Sequence, residues 1–389
     1  MEIQLWWLLA LPAFFGLGWI AARIDLKHLL SESRALPKSY FKGLNFLMNE
    51  QPDKAIEAFV DVIKVEPQTV ELHFALGSLF RRRGEVTRAI RMHQSLLERN
   101  DLEEDQKLYT LYEIAQDYLK AGLLDRAEES FVKLEGTQYA EPSLKFLLEI
   151  YQQEKDWLKA VDTARQLARL SGQSYQKEIA NFYCELASQE IMNSRIMDAR
   201  IHLEDALTVH RRCVRSNVLL GDLEAGQGNF EDAISAWKRI ESQSPEHLAI
   251  VAEKMLNAYM RLDKLEEGQR LLKGYLENYP SIEILNVLFD AELRSQGVES
   301  AYHLVRYELR KHPSLIGLDR LLEAQLMEAP IERKRDLELI KNLVHQQAAS
   351  LSQYRCETCG FNAKQYYWHC PACGGWETYP PRQTEEREK

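Results

Sequence analysis

Residues 43–67 read GLNFLMNEQPDKAIEAFVDVIKVEP, and this stretch predicts the unit from which most of the chain is built. The residues follow a helical period, so we expect two helices, with Gly43 and Phe46 on the first and Ala55 and Phe59 on the second. Pro67 then ends the second helix, because proline cannot continue one. A small residue where two helices cross lets their backbones approach within roughly 8 to 10 Å.

The same pattern recurs at intervals of 34 residues, since Gly77 follows Gly43 and Ala89 follows Ala55 at that distance. The repeat resembles the tetratricopeptide (TPR) pattern. Later units carry matching residues, namely Ala115, Ala127, Phe131, Tyr151, Ala160, Ala187, Ala199, Gly221, Ala233, Trp237, Tyr259, Gly268, Ala301 and Val305. The resemblance implies an all-α, TPR-type helical solenoid over residues 36–350, in which about eight to nine helix pairs bury their apolar faces against each other. We interpret Asp101 to Gln106 as a short insertion and Leu315 to Ala349 as a capping pair.

TPR arrays bind protein segments on the concave side, which the first helices line. Phe74 and Arg81 in the second unit and Tyr112 and Gln116 in the third are predicted to face that side and bind a partner. An aromatic ring beside hydrogen-bonding groups suits an extended or helical peptide. The alternative is that these residues form ordinary solvated helix faces. Arg81 also lies at a helix C-terminus, where the helix dipole favours a cation.

A second informative stretch lies near the C-terminus, where Cys356 and Cys359 form one C-x-x-C-G turn and Cys370 and Cys373 form another. Two such turns, ten residues apart, direct four sulfurs at one point, as a tetrahedral thiolate site requires. The sequence therefore predicts a module over residues 354–380 that binds one metal ion, iron or zinc, since both accept four thiolates. Four protein ligands leave no position for a substrate, so such a site is structural or transfers electrons.

The module is shorter than the ~40 residues at which chains usually fold unaided, so metal binding would supply its folding energy. Seven aromatic residues surround the cysteines, namely Tyr354, Phe361, Tyr366, Tyr367, Trp368, Trp376 and Tyr379. They form either a small aromatic core or a docking surface against the last repeats. His369 is an alternative metal ligand, although four cysteines already complete a site.

The N-terminus predicts a membrane anchor. Residues 3–22 read IQLWWLLALPAFFGLGWIAA, and a helix of 20 residues is about 30 Å long, the thickness of the hydrocarbon core of a bilayer. Basic residues follow this segment and none precedes it, which places the bulk of the chain in the cytoplasm and the N-terminus on the other side of the membrane. A cleaved signal peptide is the alternative, but the basic start it needs is missing. We therefore predict an anchor (1–22), a linker (23–35) and a polar tail (381–389).

Composition narrows the function further. The formal net charge of the 389 residues is −10, which argues against a nucleic-acid binder because such proteins need a positive field. No nucleotide loop, metalloprotease motif or nucleophile elbow occurs, so we predict that the protein is not an enzyme. The two other cysteines, Cys184 and Cys213, lie in helical sequence and are expected to be buried apolar residues in a reducing compartment.

The order of anchor, repeat array and cysteine module resembles one family over essentially the whole chain, lipopolysaccharide assembly protein B (LapB, also called YciM). The start MEIQLWWLLALPAFFGLGWIAARID and the end YRCETCGFNAKQYYWHCPACGGWETYPP carry this resemblance. The C-terminal module of the family is described as rubredoxin-like, and its four metal ligands map onto Cys356, Cys359, Cys370 and Cys373.

The resemblance implies a single-pass adaptor at the inner membrane, with its N-terminus in the periplasm and its bulk in the cytoplasm, that regulates lipopolysaccharide synthesis. It would promote degradation of LpxC, the committed-step deacetylase of lipid A synthesis, by the membrane-anchored protease FtsH. Other inner-membrane lipopolysaccharide proteins are further expected partners, and the sequence leaves a homo-oligomer open. Two alternatives remain: a scaffold for envelope assembly enzymes without a proteolytic link, and a rubredoxin-like electron carrier.

Overall fold

The computed structural model describes residues 38–49, 51–65, 69–351 and 354–381. The predicted anchor, the linker, Pro67 and all of the predicted tail except its first residue lie outside these ranges. In the described part of the chain, no helix is both long enough and apolar enough to span a bilayer. The borders predicted for the anchor, array and module therefore stay predictions.

Eighteen α-helices within these ranges follow one another as nine pairs. The first four pairs are α1 (Lys38–Met48) and α2 (Pro52–Val65), α3 (Val70–Arg82) and α4 (Val86–Leu97), α5 (Glu104–Lys120) and α6 (Leu124–Val132), and α7 (Ala140–Glu154) and α8 (Trp157–Ser171). The next three are α9 (Gln176–Met192) and α10 (Ile196–Val209), α11 (Val214–Gly226) and α12 (Phe230–Gln243), and α13 (Leu248–Arg261) and α14 (Leu265–Asn278). The last two are α15 (Ile282–Ser295) and α16 (Val298–Lys311), and α17 (Leu315–Met327) and α18 (Ile331–Leu351).

The C-terminal module is almost free of regular structure. Two short strands, β1 (Tyr354–Arg355) and β2 (Asn362–Ala363), pair in antiparallel fashion. An isolated bridge joins His369 to Trp376. The all-α class with a small terminal module is thus confirmed for the described residues.

Two compact units make up the described chain, one ending at Phe146 and the other starting at Leu147. In the first unit an apolar core forms around Phe59, Leu76 and Phe80. In the second, a larger core runs without interruption from α11 to α17. Each core is built where neighbouring pairs bury their apolar faces together, as expected for stacked repeats.

In three of the pairs, the two helices approach closely because a glycine on the first helix meets a ring on the second, 16 residues later in the chain. A Cβ built on Gly43 would lie 2.4 Å from the ring of Phe59, and one on Gly221 would lie 2.2 Å from the Trp237 indole. Such distances leave no space for a methyl group. These glycines are therefore packing residues, as predicted from their place in the repeat.

The predicted insertion between the second and third units is wrong. The acidic segment from Asp101 to Gln106 was interpreted as an insertion, but α5 begins at Glu104, inside it. The Gln106 side chain accepts a hydrogen bond from the Glu103 backbone N–H at 3.2 Å. This bond satisfies one of the unpaired donors of the first turn, so the acidic residues start the helix.

Candidate metal centre

Two matching turns carry the four cysteines. In the first, Gly360 donates its N–H to the Cys356 carbonyl at 2.9 Å, and in the second Gly374 donates to the Cys370 carbonyl at the same distance. Both glycines have positive φ, +76° and +69°. Glycine adopts this conformation without steric cost, so each turn closes tightly behind its second sulfur. The sequence prediction of two equivalent turns is borne out in the backbone.

The four sulfurs converge within 4.8 Å of one another. Sγ of Cys356 lies 3.8 Å from that of Cys373, and the sulfurs of Cys359 and Cys370 are also 3.8 Å apart. A tetrahedron with metal–sulfur bonds of about 2.3 Å has edges of about 3.8 Å, so one zinc or iron ion fits this set of donors. The structure thus brings together the four residues predicted to bind metal, and their role as ligands stays a prediction.

The pKa values of two of the thiols shift in opposite directions. Burial raises the pKa of Cys356, but hydrogen bonding with Thr378 and with the Cys359 and Thr358 backbone outweighs burial and lowers the pKa to about 6. For Cys359, a hydrogen bond from the Phe361 backbone lowers the pKa, but desolvation and the neighbouring thiols raise it to about 12. Four thiolates this close repel each other, and a divalent cation between them would remove that repulsion.

A small aromatic core surrounds the buried cysteines. Cys356 and Cys370 are 1% exposed and pack with Tyr379, whose hydroxyl oxygen lies 3.7 Å from the Cys370 sulfur. Tyr354, Tyr366 and Tyr367 pack around the same cluster. Cys359 and Cys373 are the exposed pair. Four of the seven aromatics therefore form the predicted core.

The other face of the module packs against the repeats, and Trp376 is the centre of this contact. Trp376 is 5% exposed and meets the rings of Trp157 and Phe182 edge to face, with centroids 6.2 and 5.8 Å apart. Its indole N–H donates to Gln152 at 3.2 Å, and the Arg215 guanidinium lies 5.7 Å from its ring centroid. One side chain thus contacts α7, α8, α9 and α11.

Polar contacts flank Trp376. Glu377 accepts a hydrogen bond from the Asn181 side chain at 2.9 Å, and its carboxylate lies 3.8 Å from the Lys177 ammonium. His369, predicted as an alternative ligand, stacks on the Trp376 ring with centroids 4.3 Å apart. The cluster of donors suited to a metal contains only cysteines within the described residues, so the structure places His369 in the docking contact.

A second contact lies at the turn before α13. The His247 ring stacks on Trp368 with centroids 5.6 Å apart and planes 9° apart, and its Nε2 lies 3.3 Å from the Tyr366 hydroxyl. Burial, with a smaller effect of Lys177, lowers the pKa of His247 to about 4. The module therefore docks on pairs four to seven. The alternative that it docks on the last repeats is wrong, because its aromatics contact residues from Gln152 to His247.

The four predicted partner-binding residues lie in the first unit. Phe74 packs edge to face on Tyr109 with centroids 4.7 Å apart, and Tyr112 stacks on Tyr139 at 5.2 Å. Gln116 makes only long contacts with its own helix, at 3.4 and 3.5 Å. These side chains are half-buried, and their binding of a partner stays a prediction.

Arg81 belongs to a buried ionic network that the sequence analysis missed. Its guanidinium contacts Glu113 and Asp117, each at 2.7 Å, and Asp117 also contacts His93 Nδ1 at 2.5 Å. His93 and Asp117 are fully buried. The network joins α3, α4 and α5, so the Arg81 charge stabilises the packing of two pairs. Acidic residues 32 and 36 positions after an arginine in a 34-residue repeat were the signal that could have revealed it.

Comparisons with known proteins bear on both parts of the chain. A family model described as "Rubredoxin metal binding domain" matches residues 354–381. Another, described as "Tetratricopeptide repeat", matches residues 42–101 and 185–246. A solved tetratricopeptide repeat protein from Parabacteroides merdae aligns with 79% of this chain and 100% of its own at 17% identity, but its TM-score of 0.26 is too low to add to the fold. The predicted repeat type and rubredoxin-like module are confirmed.

Two curated relatives extend over nearly the whole length. Lipopolysaccharide assembly protein B of Escherichia coli (strain K12) is 34% identical over 376 residues, which cover 96% of this chain and 97% of its own. The protein of the same name from Haemophilus influenzae is 32% identical over 390 residues, which cover 97% and 98%. With this identity along the full length, the chain belongs to the lipopolysaccharide assembly protein B family.

Proposed function

We propose that this protein is a non-enzymatic adaptor in lipopolysaccharide assembly. The observation that carries the proposal is the near full-length similarity to two proteins named for that process. The described architecture supports it, because stacked helix pairs offer long surfaces for protein partners. The predicted metal site also has four protein donors, which would leave no open position for a substrate.

In its finer form, the proposal places the array at the cytoplasmic side of the inner membrane, held by residues 1–22. There it would present the deacetylase LpxC to the protease FtsH. Confinement to the membrane raises the effective concentration of an adaptor near a membrane protease, so weak contacts suffice. The family resemblance supports these partners.

The module would stabilise the repeats on which it docks, and its own fold would depend on its metal. We propose that Cys356, Cys359, Cys370 and Cys373 hold one zinc or iron ion and that the ion keeps the two turns closed. With the turns closed, Trp376 and Trp368 stay positioned for the repeats. Loss of the ion would then alter a surface formed by pairs four to seven.

The test measures the half-life of LpxC after protein synthesis is stopped, in cells whose own adaptor gene is replaced by variants of this chain. We expect Cys356→Ser to lengthen the half-life several-fold and to lower the metal content of the purified protein. Phe361→Ala is the matched control, because Phe361 lies in the same module but is 43% exposed, and it should change neither. A version without residues 1–22 should be soluble but poorly active.

Co-purification from membranes separates the alternatives. The adaptor hypothesis expects both LpxC and FtsH to be retained by the full chain. Retention of envelope assembly enzymes with an unchanged LpxC half-life would favour the scaffold and contradict the proteolytic link. A red protein that bleaches on reduction would favour the electron carrier, whereas a colourless protein with stoichiometric zinc would exclude it.

A further inference from the structure

A groove lies in the second unit. It runs between α13 and α15, with Arg320 of α17 at one end, and encloses about 530 Å³. The first helices of pairs seven, eight and nine thus contribute to it.

The groove continues the row of residues that holds the module. Asn181 and Arg215 contact the module from equivalent positions of pairs five and six, 34 residues apart. The next two positions at this spacing are Ala249 and Glu283, and both line the groove. The face that the module covers at pairs five and six therefore continues at pairs seven and eight, where it forms the groove.

Apolar side chains line part of this open portion. Ile250, Leu256 and Val287 contribute to the lining, and Met260 is 47% exposed there. An exposed methionine adapts to side chains of different shape, which suits a surface that binds a polypeptide. The Asn257 amide, also exposed, can donate to and accept from a peptide backbone.

The charge in the groove is negative. Carboxylates of Glu253, Glu283 and Asp290 line it, together with the guanidinium groups of Arg294 and Arg320. Arg320 bonds to Glu323 at 2.9 Å and lies 3.8 Å from Asp290, so the charges of Arg320 and Asp290 largely offset each other within the protein. The remaining field favours a cationic ligand, because complementary potentials select and steer partners.

We infer that this groove binds a segment of a partner protein that contains both apolar side chains and lysine or arginine. The apolar side chains would contact the lining around Ile250 and Met260, and the cationic side chains would pair with Glu253 and its acidic neighbours. The inference rests on the proposed adaptor function and names the surface that contacts the regulated partner. It adds a site distinct from the first-unit residues predicted from sequence.

Site-specific photocrosslinking in membranes tests the location. A benzophenone amino acid is placed at Asn257, in the groove, and in a control at Ser235, which is exposed on the second helix of pair six. We expect the full chain to crosslink to LpxC from position 257 and not from 235. The crosslinked LpxC peptide, sequenced by mass spectrometry, should contain apolar and basic residues. A covalent dimer of this chain, or an acidic peptide, would overturn the inference.

Charge reversal tests the chemistry. Glu253→Lys should reduce LpxC co-purified with the full chain at least tenfold, whereas Glu266→Lys, the same change at an exposed position outside the groove, should leave it unchanged. Equal retention by both variants would contradict the groove while the adaptor function stands. If the unaltered chain retains no LpxC, the adaptor function itself fails.

Discussion

Replacement of Trp376 by alanine should release the C-terminal module from the repeats. A tryptophan buries about 150–250 Å² of surface, and at about 25 cal/mol per Å² that corresponds to roughly 4–6 kcal/mol. Measured Trp→Ala losses in protein cores are about 3–5 kcal/mol. Since Trp376 is 5% exposed and contacts four helices, we expect a loss near 3 kcal/mol or more in docking. Each ~1.4 kcal/mol changes an equilibrium constant tenfold, so the equilibrium constant for docking should fall by at least about a hundredfold.

Hydrogen exchange of the full chain provides the assay. Amides around Phe182 in α9 should exchange faster in Trp376→Ala, because local opening sets the exchange rate of protected amides. Phe361→Ala is the control within the module, and the metal content of both variants should equal that of the unaltered protein. If Trp376→Ala keeps its metal and exchanges at the unaltered rate around Phe182, the indole does not hold the module and this account is refuted.

Three further predictions concern the repeats and their contact with the module. Gly221→Ala should lower the free energy of unfolding in urea by about 1–3 kcal/mol, because its Cβ would lie 2.2 Å from the Trp237 indole. Gly226→Ala is the control: no atom lies near its Cβ, so the free energy of unfolding should be unchanged or slightly higher. Arg81→Met should lower the free energy of unfolding by about 3–5 kcal/mol in the same assay, since it leaves buried carboxylates without their cation. Burial lowers the pKa of His247 to about 4. Docking of the module should therefore weaken by about 1.4 kcal/mol per pH unit as the pH falls from 6.5 towards 4. In proteolysis assays, His247→Phe should remove this pH dependence.

Local chemistry made much of the fold predictable. Gly43 and Gly221 mark helix crossings because only a missing side chain allows such close approach, and that requirement leaves a visible 34-residue period. The two cysteine turns are equally local, since four residues and a glycine fix each one. Such features depend on neighbours in the chain or on the next repeat, so the sequence contains their signal.

Contacts between distant segments were not predictable in the same way. The sequence allowed Trp376 and Trp368 to belong either to a small core or to a docking surface, and nothing in their spacing indicated that Gln152 or His247 would be their partners. The site of docking depends on which face of the repeats the module reaches, which no periodicity encodes. The helix start at Glu104 was missed for a different reason, because an acidic run resembles a loop until its capping bond is seen.

The separation of Lys177 and Glu377 by 200 residues has a consequence for biosynthesis. At about 5–20 residues per second, the helices that receive the module leave the ribosome roughly 10–40 s before it does. During that time Trp157 and Phe182 lack the indole that covers them in the finished protein. A nascent chain that is truncated before the module keeps that apolar surface open. Until the module is made, this patch therefore leaves the unfinished chain open to the non-specific association that exposed apolar surface promotes.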